Sequence, residues 1–231
     1  MEGHASSSSS PESTMSSAQD PVSFRRTWKI ILVSFPIVVL FIIISFYKFD
    51  LPIAKYFRLL YLDGETRHIL KGISKFGWAT PYIICSLVLF CLFKFVHKKT
   101  LWSNRALFVF LSVSLSGISV SALKFIFGRY RPRMMFKEQL YGFAFFELKG
   151  KMTSFPSGHT ATIVALMLSL YFINPKYKVI YFAISFIIIA TRLILYQHYL
   201  ADVVFGLYLA VVITICVKHY LDRRGLALQD M

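Results

Sequence analysis

The chain has 231 residues, of which 56% are hydrophobic and only 16% are charged. Ordinary soluble domains contain about 45–50% apolar and about 25% charged residues, so this composition excludes such a domain and indicates a polytopic membrane protein. The net charge of +15 is spread over the flanks of apolar runs and forms no basic face. We therefore expect phosphates and anionic lipid headgroups as partners, and no nucleic acid.

The N-terminal part of the sequence changes character twice before the first long apolar run ends. Residues 1–23 are rich in Ser and poor in large apolar side chains, which predicts a disordered tail. Arg25 and Arg26 then precede an apolar run that no small-residue cleavage site follows, so this run is interpreted as an uncleaved first span. Residues 47–78 mix aromatic and basic side chains, which favours an amphipathic segment at the membrane interface or a connecting loop.

Crossing the hydrocarbon core of a membrane takes about 20 predominantly apolar residues in a helix. The predicted spans cover about 30–46, 79–96, 106–127, 158–173, 179–195 and 200–217. The predicted fold is an all-α, polytopic membrane helical bundle with six transmembrane helices. It occupies residues 24–221, with a short C-terminal tail at 222–231.

Three polar clusters lie at the ends of these spans, and alternation of the spans places all three on one side of the membrane. The first cluster follows the third span, the second begins the fourth span, and the third lies between the fifth and sixth spans. The balance of basic residues in the loops does not decide which side this is. The short basic connections at 97–105 and 174–178, with the basic residues before span one, favour cytoplasmic termini and clusters that face outward.

His198 and Asp202 are four residues apart, so they share one face if the sixth helix begins near Gln197. A carboxylate near one ring nitrogen fixes the tautomer and leaves the other nitrogen with a lone pair for attack. The alternative is a buried His–Asp pair that only ties two helices together.

The segment Pro156-Ser157-Gly158-His159 is typical of a helix start that binds an anion. Backbone N–H groups of Ser157 and Gly158 and the positive end of the helix dipole favour a phosphate there. A protonated His159 beside that phosphate is suited to donate a proton to a leaving oxygen. The alternative is a Ser-capped helix with a surface histidine.

Arg131 and Arg192 carry planar guanidinium groups that match phosphate oxygens, and Lys124 adds a third positive charge. Their alternative role is to extend toward the membrane interface. Arg129, Arg133 and Lys137 are interpreted as a generic basic loop and are left out of the predicted site.

The spacing of these residues resembles the three-part signature of the type 2 phosphatidic acid phosphatase (PAP2) superfamily. Six residues separate Lys124 from Arg131-Pro132, and Pro156-Ser157-Gly158-His159 follows. Five residues separate Arg192 from His198, and three separate His198 from Asp202. The resemblance covers residues 120–210. The serine that usually precedes the third-motif arginine is Thr191 here, which keeps a hydroxyl.

This resemblance implies a six-span enzyme, of the size of the bacterial members, that removes phosphate from a lipid. It implies His198 as the nucleophile that becomes phosphohistidine, Asp202 as its orienting partner and His159 as the proton donor. Phosphoryl oxygens would be bound by the three cations and by the Ser157 and Gly158 amides. No cofactor and no metal are expected, because Asp202 is the only carboxylate in the clusters and a two-metal site needs several oxygen ligands.

The predicted function is a lipid phosphatase of the bacterial cytoplasmic membrane with its active site facing outward. The candidate substrates are lipid A phosphates, undecaprenyl diphosphate and phosphatidylglycerol phosphate. Lipid A is preferred because the basic and aromatic loop at 128–155 can hold a large anionic headgroup. A lipid phosphotransferase with the same site, or a transporter or scaffold that only binds anions, is the alternative.

Overall fold

The computed structural model describes residues 21–60, 63–147 and 149–229, and from residue 25 onward it also describes side chains. The predicted tail lies outside the described residues except for its last three positions, which begin the first helix. The described residues form nine α-helices: α1 (Pro21–Ile44), α2 (Asp50–Leu59), α3 (Gly64–Ser74), α4 (Ala79–Cys91), α5 (Thr100–Phe127), α6 (Pro132–Glu138), α7 (Gly158–Ile173), α8 (Lys178–Ile194) and α9 (Leu200–Arg223).

The first two membrane-crossing segments are longer than predicted. A π-helical turn at Ser45–Phe49 joins α1 to α2, so one helical segment extends to Leu59. This π-helical turn is stabilised by a hydrogen bond across it, which the Ser45 hydroxyl donates to the Asp50 carboxylate at 2.7 Å. A 3₁₀ turn at Lys75–Gly77 precedes α4. Residues predicted as an interfacial segment are therefore largely helical, and their position at the interface stays a prediction.

The structure confirms an all-α membrane bundle. Within its described part, five helical segments are long and apolar enough to cross a membrane, and α7 is a sixth apolar helix of 16 residues. At 1.5 Å per residue α7 is about 24 Å long, less than the hydrocarbon thickness. It can be short because it is the central helix, packed against α4, α5, α8 and α9.

The core and the lipid-facing surface are both apolar. Val113, Ile163 and Ala210 are among the residues buried where α5, α7 and α9 meet. Leu32 on α1 and Phe186 on α8 are 69% and 73% exposed. Large apolar side chains on an outer surface are expected when lipid rather than water surrounds the helices.

The polar end of the bundle is formed by the ends of α5 and α8 and the starts of α7 and α9, which confirms that the three clusters converge. Gly128 ends α5 in a left-handed conformation with φ of +53° and turns the chain back over the bundle. The returning loop pairs Arg129 with Phe143 in an isolated β-bridge. It then buries Ser154 and Ser157 just before α7.

Candidate active site

His198 lies in the short connection between α8 and α9 and is only 3% exposed. Its Nδ1 atom is 2.8 Å from the backbone oxygen of Ser154 and 3.6 Å from the nearer carboxylate oxygen of Asp202. A carbonyl oxygen only accepts hydrogen bonds, so Nδ1 carries the proton and Nε2 carries the lone pair. The carboxylate approaches the ring as predicted, but the hydrogen bond that selects the tautomer goes to Ser154.

The electrostatic surroundings keep His198 neutral. Burial lowers the pKa of His198 to about 3 and outweighs the raising effect of Asp202, while Arg192 and Arg131 lower it further. A neutral imidazole with a lone pair on Nε2 is the nucleophilic form. The side chain that the sequence assigned as nucleophile is therefore in its reactive state near neutral pH.

Asp202 lies in the first turn of α9, and both of its carboxylate oxygens are occupied. One oxygen accepts hydrogen bonds from the Ser154 hydroxyl at 2.5 Å and the Tyr199 backbone N–H at 2.8 Å. The other accepts from the guanidinium of Arg129 at 2.5 Å. Asp202 thereby holds the segment containing Ser154, whose carbonyl in turn holds His198.

Arg129 is a central part of this site, so its interpretation as a generic loop residue was wrong. It is 1% exposed and binds Asp202 with one nitrogen and Asp50 with the other, each at 2.5 Å. The two carboxylates raise the pKa of Arg129 although burial opposes its charge. Its guanidinium also lies against four aromatic rings, those of Phe46, Tyr141, Phe143 and Tyr199.

Asp50 connects the first membrane-crossing segment to the same network. It is fully buried at the start of α2, and its oxygens accept hydrogen bonds from Ser45, Arg129 and the Ala201 backbone N–H in the first turn of α9. The sequence carried a signal for this role, since a carboxylate beside an apolar span needs a buried cationic partner. The partner is 79 residues away, so spacing alone does not identify it.

The start of α7 differs from the prediction in the partner of the Ser157 backbone N–H. The Ser157 N–H donates to the backbone oxygen of Asp202 at 3.0 Å, and Ser157 is fully buried. The prediction that this amide binds phosphate is therefore wrong, because it fixes α7 to α9. Within the described part of the chain, the N–H groups of Gly158 and His159 have no acceptor, so the anion-binding role is left to them.

A close approach of two helices holds this corner together. A Cβ atom at Gly206 on α9 would lie 2.7 Å from the Ser157 backbone oxygen, which is too close for any residue with a side chain. His159 is confined in the same way, because a Cβ atom at Gly77 would lie 2.7 Å from the Cβ of His159. Ser157 and His159 are thus both confined by closely packed backbone.

The three predicted cations surround the start of α7. The Lys124 amine would lie 3.5 Å from a Cβ atom at Gly158, so it stands directly over the first turn. Arg131 donates to the Thr153 hydroxyl at 3.1 Å, and Arg192 donates to the Ser74 hydroxyl on α3. Each hydrogen bond leaves other guanidinium N–H groups available for a phosphate.

A cleft of about 370 Å³ opens beside these groups. Arg131, His159 and Arg192 line it from the predicted clusters. The other lining residues are Lys71, Ser74, Lys75, Trp78, Arg133, Leu195 and Gln197. The sequence did not assign α3 to the site, because its basic residues fit an interfacial helix equally well.

The arrangement places His159 and several cations on the wall of one cavity, and the buried, neutral His198 lies next to Gln197 of that wall without lining it. No aspartate or glutamate is among the described residues that line the cleft. Such a cavity can bind a phosphoryl group and neutralise the charge on its oxygens. The phosphorus atom of the bound group can then be attacked by an Nε2 lone pair. Across the described residues, no group of three or more His, Cys, Asp or Glu side chains is placed to hold a metal ion.

Comparison with protein families gives a match to the model of the PAP2 superfamily over residues 105–226. A lipid A 1-phosphatase of Rhizobium johnstonii is 30% identical over 176 residues, which cover 72% of this chain and 70% of that protein. A lipid A 1-phosphatase of Rhizobium etli is 31% identical over 175 residues, covering 71% and 73% of the two chains.

Two solved structures share the fold. The crystal structure of Aquifex aeolicus LpxE matches with a TM-score of 0.53 and 22% identity, covering 72% of this chain and 94% of that one. The crystal structure of a PAP2-type phosphatidylglycerolphosphate phosphatase from Bacillus subtilis matches with a TM-score of 0.56 and 19% identity, covering 80% and 94%. At these identities the likeness concerns the fold alone.

Proposed function

The chain belongs to the PAP2 superfamily, and from this premise we propose that it removes the 1-phosphate of lipid A through a phosphohistidine intermediate. It is a multi-pass membrane phosphatase, as its helices, its family and its relatives indicate. Lipid A is supported as the substrate by the names of the two Rhizobium relatives. Phosphatidylglycerol phosphate and undecaprenyl diphosphate are the competing substrates.

The observation that carries the mechanism is the state of His198. Its Nδ1 proton is bonded to the Ser154 carbonyl, so Nε2 is the free nucleophilic atom. The cations Lys124, Arg131 and Arg192 attract the phosphate and neutralise its oxygens, which makes attack by a neutral nucleophile on an anion possible.

The proposed reaction has two steps. In the first, the Nε2 lone pair of His198 attacks phosphorus, the bond from phosphorus to the lipid oxygen breaks, and protonated His159 gives its proton to that oxygen. In the second, water attacks the phosphohistidine and gives a proton to His159, which releases inorganic phosphate and restores His198. Asp202, 3.6 Å from the ring, stabilises the positive charge that the phosphorylated imidazole carries.

The test is a phosphate-release assay with purified protein in detergent and ³²P-labelled lipid A, phosphatidylglycerol phosphate or undecaprenyl diphosphate. We expect release from the 1-position of lipid A and a labelled enzyme intermediate that is stable in alkali and labile in acid. His198→Gln should abolish both. His159→Gln should lower the rate by about 10²–10⁴-fold, the usual contribution of a general acid.

His97→Gln serves as the matched control, because His97 follows the π-helical turn Leu92–Val96 that extends α4, at the opposite end of the bundle. Folded His198→Gln protein that releases phosphate at the wild-type rate would refute the nucleophile assignment. Transfer of the label to an acceptor lipid in place of free phosphate would identify a phosphotransferase.

We propose further that the protein lies in the bacterial cytoplasmic membrane with its termini in the cytoplasm and its cleft facing outward. The basic connections at 97–105 and 174–178 support this orientation. Single cysteines introduced at Lys98 and Lys149 of a cysteine-free variant test it in intact cells. An impermeant thiol reagent should label only position 149, and labelling at position 98 alone would reverse the orientation.

A further inference from the structure

The outer part of the cleft contains a second group of cations, formed by Lys71, Lys75 and Arg133, which we call the outer basic cluster. Lys71 lies in the last turn of α3, and Lys75 follows one turn later at the start of the 3₁₀ turn that continues that helix, so both lie on the same side of the segment. Arg133 approaches from the start of α6. All three line the cleft and are exposed to it.

No ion pair within the described part of the chain explains why these three cations lie close together. Like charges at this spacing on a helix are mildly destabilising. Within the described part of the chain, none of the three side chains has a hydrogen bond or an ion pair with an acidic residue. The acidic residues of the neighbouring loop are used elsewhere, since Glu138 pairs with Lys151 and Glu147 pairs with Lys149.

The charge in the cleft exceeds what one phosphate needs. A phosphate monoester carries about −1.5 to −2 charge at neutral pH. Lys124, Arg131 and Arg192 at the start of α7 already supply three positive charges to balance it. The cleft volume of about 370 Å³ is also within the range of about 300–1,000 Å³ that holds whole small-molecule ligands.

We propose that the outer basic cluster binds a second phosphate group of the substrate, which stays on the lipid while the first phosphate is removed. This inference rests on the proposed function and specifies its substrate as a lipid with two phosphates. Two sources share this chemistry. The second phosphate is either the inner phosphate of a lipid diphosphate or a monoester elsewhere on the same headgroup.

The test compares matched lipids that differ only in the second phosphate, all in neutral detergent micelles so that membrane surface charge plays no part. One pair is lipid A with phosphates at both ends of its disaccharide and lipid A with the 1-phosphate alone. The other pair is undecaprenyl diphosphate and undecaprenyl phosphate. The variant carries Lys71→Gln, Lys75→Gln and Arg133→Gln.

We expect kcat/KM of the variant to fall by about 10- to 100-fold on the doubly phosphorylated member of one pair and by less than about 3-fold on its partner, since each tenfold reflects about 1.4 kcal/mol of lost interaction. The pair that shows the difference identifies the source. The control variant, Lys98→Gln with Lys99→Gln and Lys176→Gln, removes the same charge at the opposite end of the bundle and should leave both rates unchanged.

Equal losses on both members of each pair, or no loss on any, would overturn the second phosphate site while leaving the proposed function intact. Wild-type protein that releases phosphate from none of these lipids would instead refute the proposed function. The two failures are therefore distinguishable in one set of assays.

Discussion

Replacing Arg129 with methionine should damage both stability and catalysis, because this side chain neutralises two buried carboxylates at once. Asp50 and Asp202 are both fully buried, and each is 2.5 Å from a different Arg129 nitrogen. Methionine is unbranched and fills the place of the aliphatic part of arginine but carries no charge, so Arg129→Met leaves two acidic groups in the interior without a cation.

The expected cost follows from breaking a buried ion pair, which is typically about 3–5 kcal/mol. Folded domains have only about 5–15 kcal/mol of net stability, so the variant should unfold at a clearly lower temperature in detergent. Phosphate release should fall by at least about 10²-fold, which corresponds to about 2.7 kcal/mol. The reason is that Asp202 holds Ser154, and the Ser154 carbonyl holds His198 in its reactive tautomer.

Two further variants separate charge from shape. Arg129→Lys keeps the charge, but a single ammonium cannot bridge two carboxylates as a guanidinium does, so it should restore only part of the stability. Arg129→Met combined with Asp50→Asn removes one stranded charge and should unfold at a higher temperature than Arg129→Met alone. Wild-type unfolding temperature and rate in Arg129→Met would refute the reasoning.

Three other predictions concern the remaining parts of the site. Gly206→Ala should lower stability by about 1–3 kcal/mol through overpacking against the Ser157 backbone, whereas Gly117→Ala on α5, where no atom lies within 4 Å, should be neutral or stabilising in the same thermal assay. Burial lowers the pKa of His198 from 6.5 to about 3, so the unfolded chain binds a proton that the folded chain does not. Stability is therefore fully present above about pH 6.5 and falls as the pH decreases toward 3, and thermal unfolding at several pH values should show a smaller fall in His198→Asn. Phosphate release should survive treatment with a strong chelator, and its loss, restored by added metal ion, would contradict the metal-free mechanism.

The convergence of the three clusters was predictable because it depends only on counting alternating spans. Lys124 at the end of α5, His159 at the start of α7 and Arg192 at the end of α8 had to reach the same side of the bundle. The resemblance of their spacing to a known signature then suggested a role for each residue. The alternation of spans does not predict which other segments pack against that end of the bundle.

The contribution of α3 shows this limit. An amphipathic helix with lysines, followed by an exposed Trp78, is equally suited to a membrane surface and to the wall of a cleft. Only the packing of α3 against α8 and of Gly77 against His159 places it at the site. Packing of this kind depends on contacts between residues far apart in the sequence, so the pattern within α3 does not reveal it.

The predictions for Arg129 and for the Ser157 amide were wrong for a related reason. Which donors and acceptors are already paired depends on the whole site and not on the local sequence. The sequence suggests that a basic residue among other basic residues is exposed, unless a buried acidic partner on another helix is known. For Arg129 this partner is Asp50, from the first membrane-crossing segment. The Ser157 amide looks available until Gly206 lets α9 come close enough for the Asp202 carbonyl to accept its hydrogen.

The hydrogen bonds of the whole site also explain why His198, the proposed nucleophile, is not hydrogen-bonded to the Asp202 carboxylate. Both carboxylate oxygens of Asp202 already accept hydrogen bonds, from Arg129, Ser154 and the Tyr199 backbone, and the nearer oxygen is 3.6 Å from Nδ1 of His198. The neutral Ser154 carbonyl instead accepts a hydrogen bond from the Nδ1–H of His198, and the ring is uncharged. In the proposed reaction phosphorylation makes the ring cationic, and the carboxylate 3.6 Å away is then in place to stabilise it. Arg129 and Asp50 are thus connected to the proposed chemistry of His198 through the position of one carboxylate, although neither of them lines the cleft.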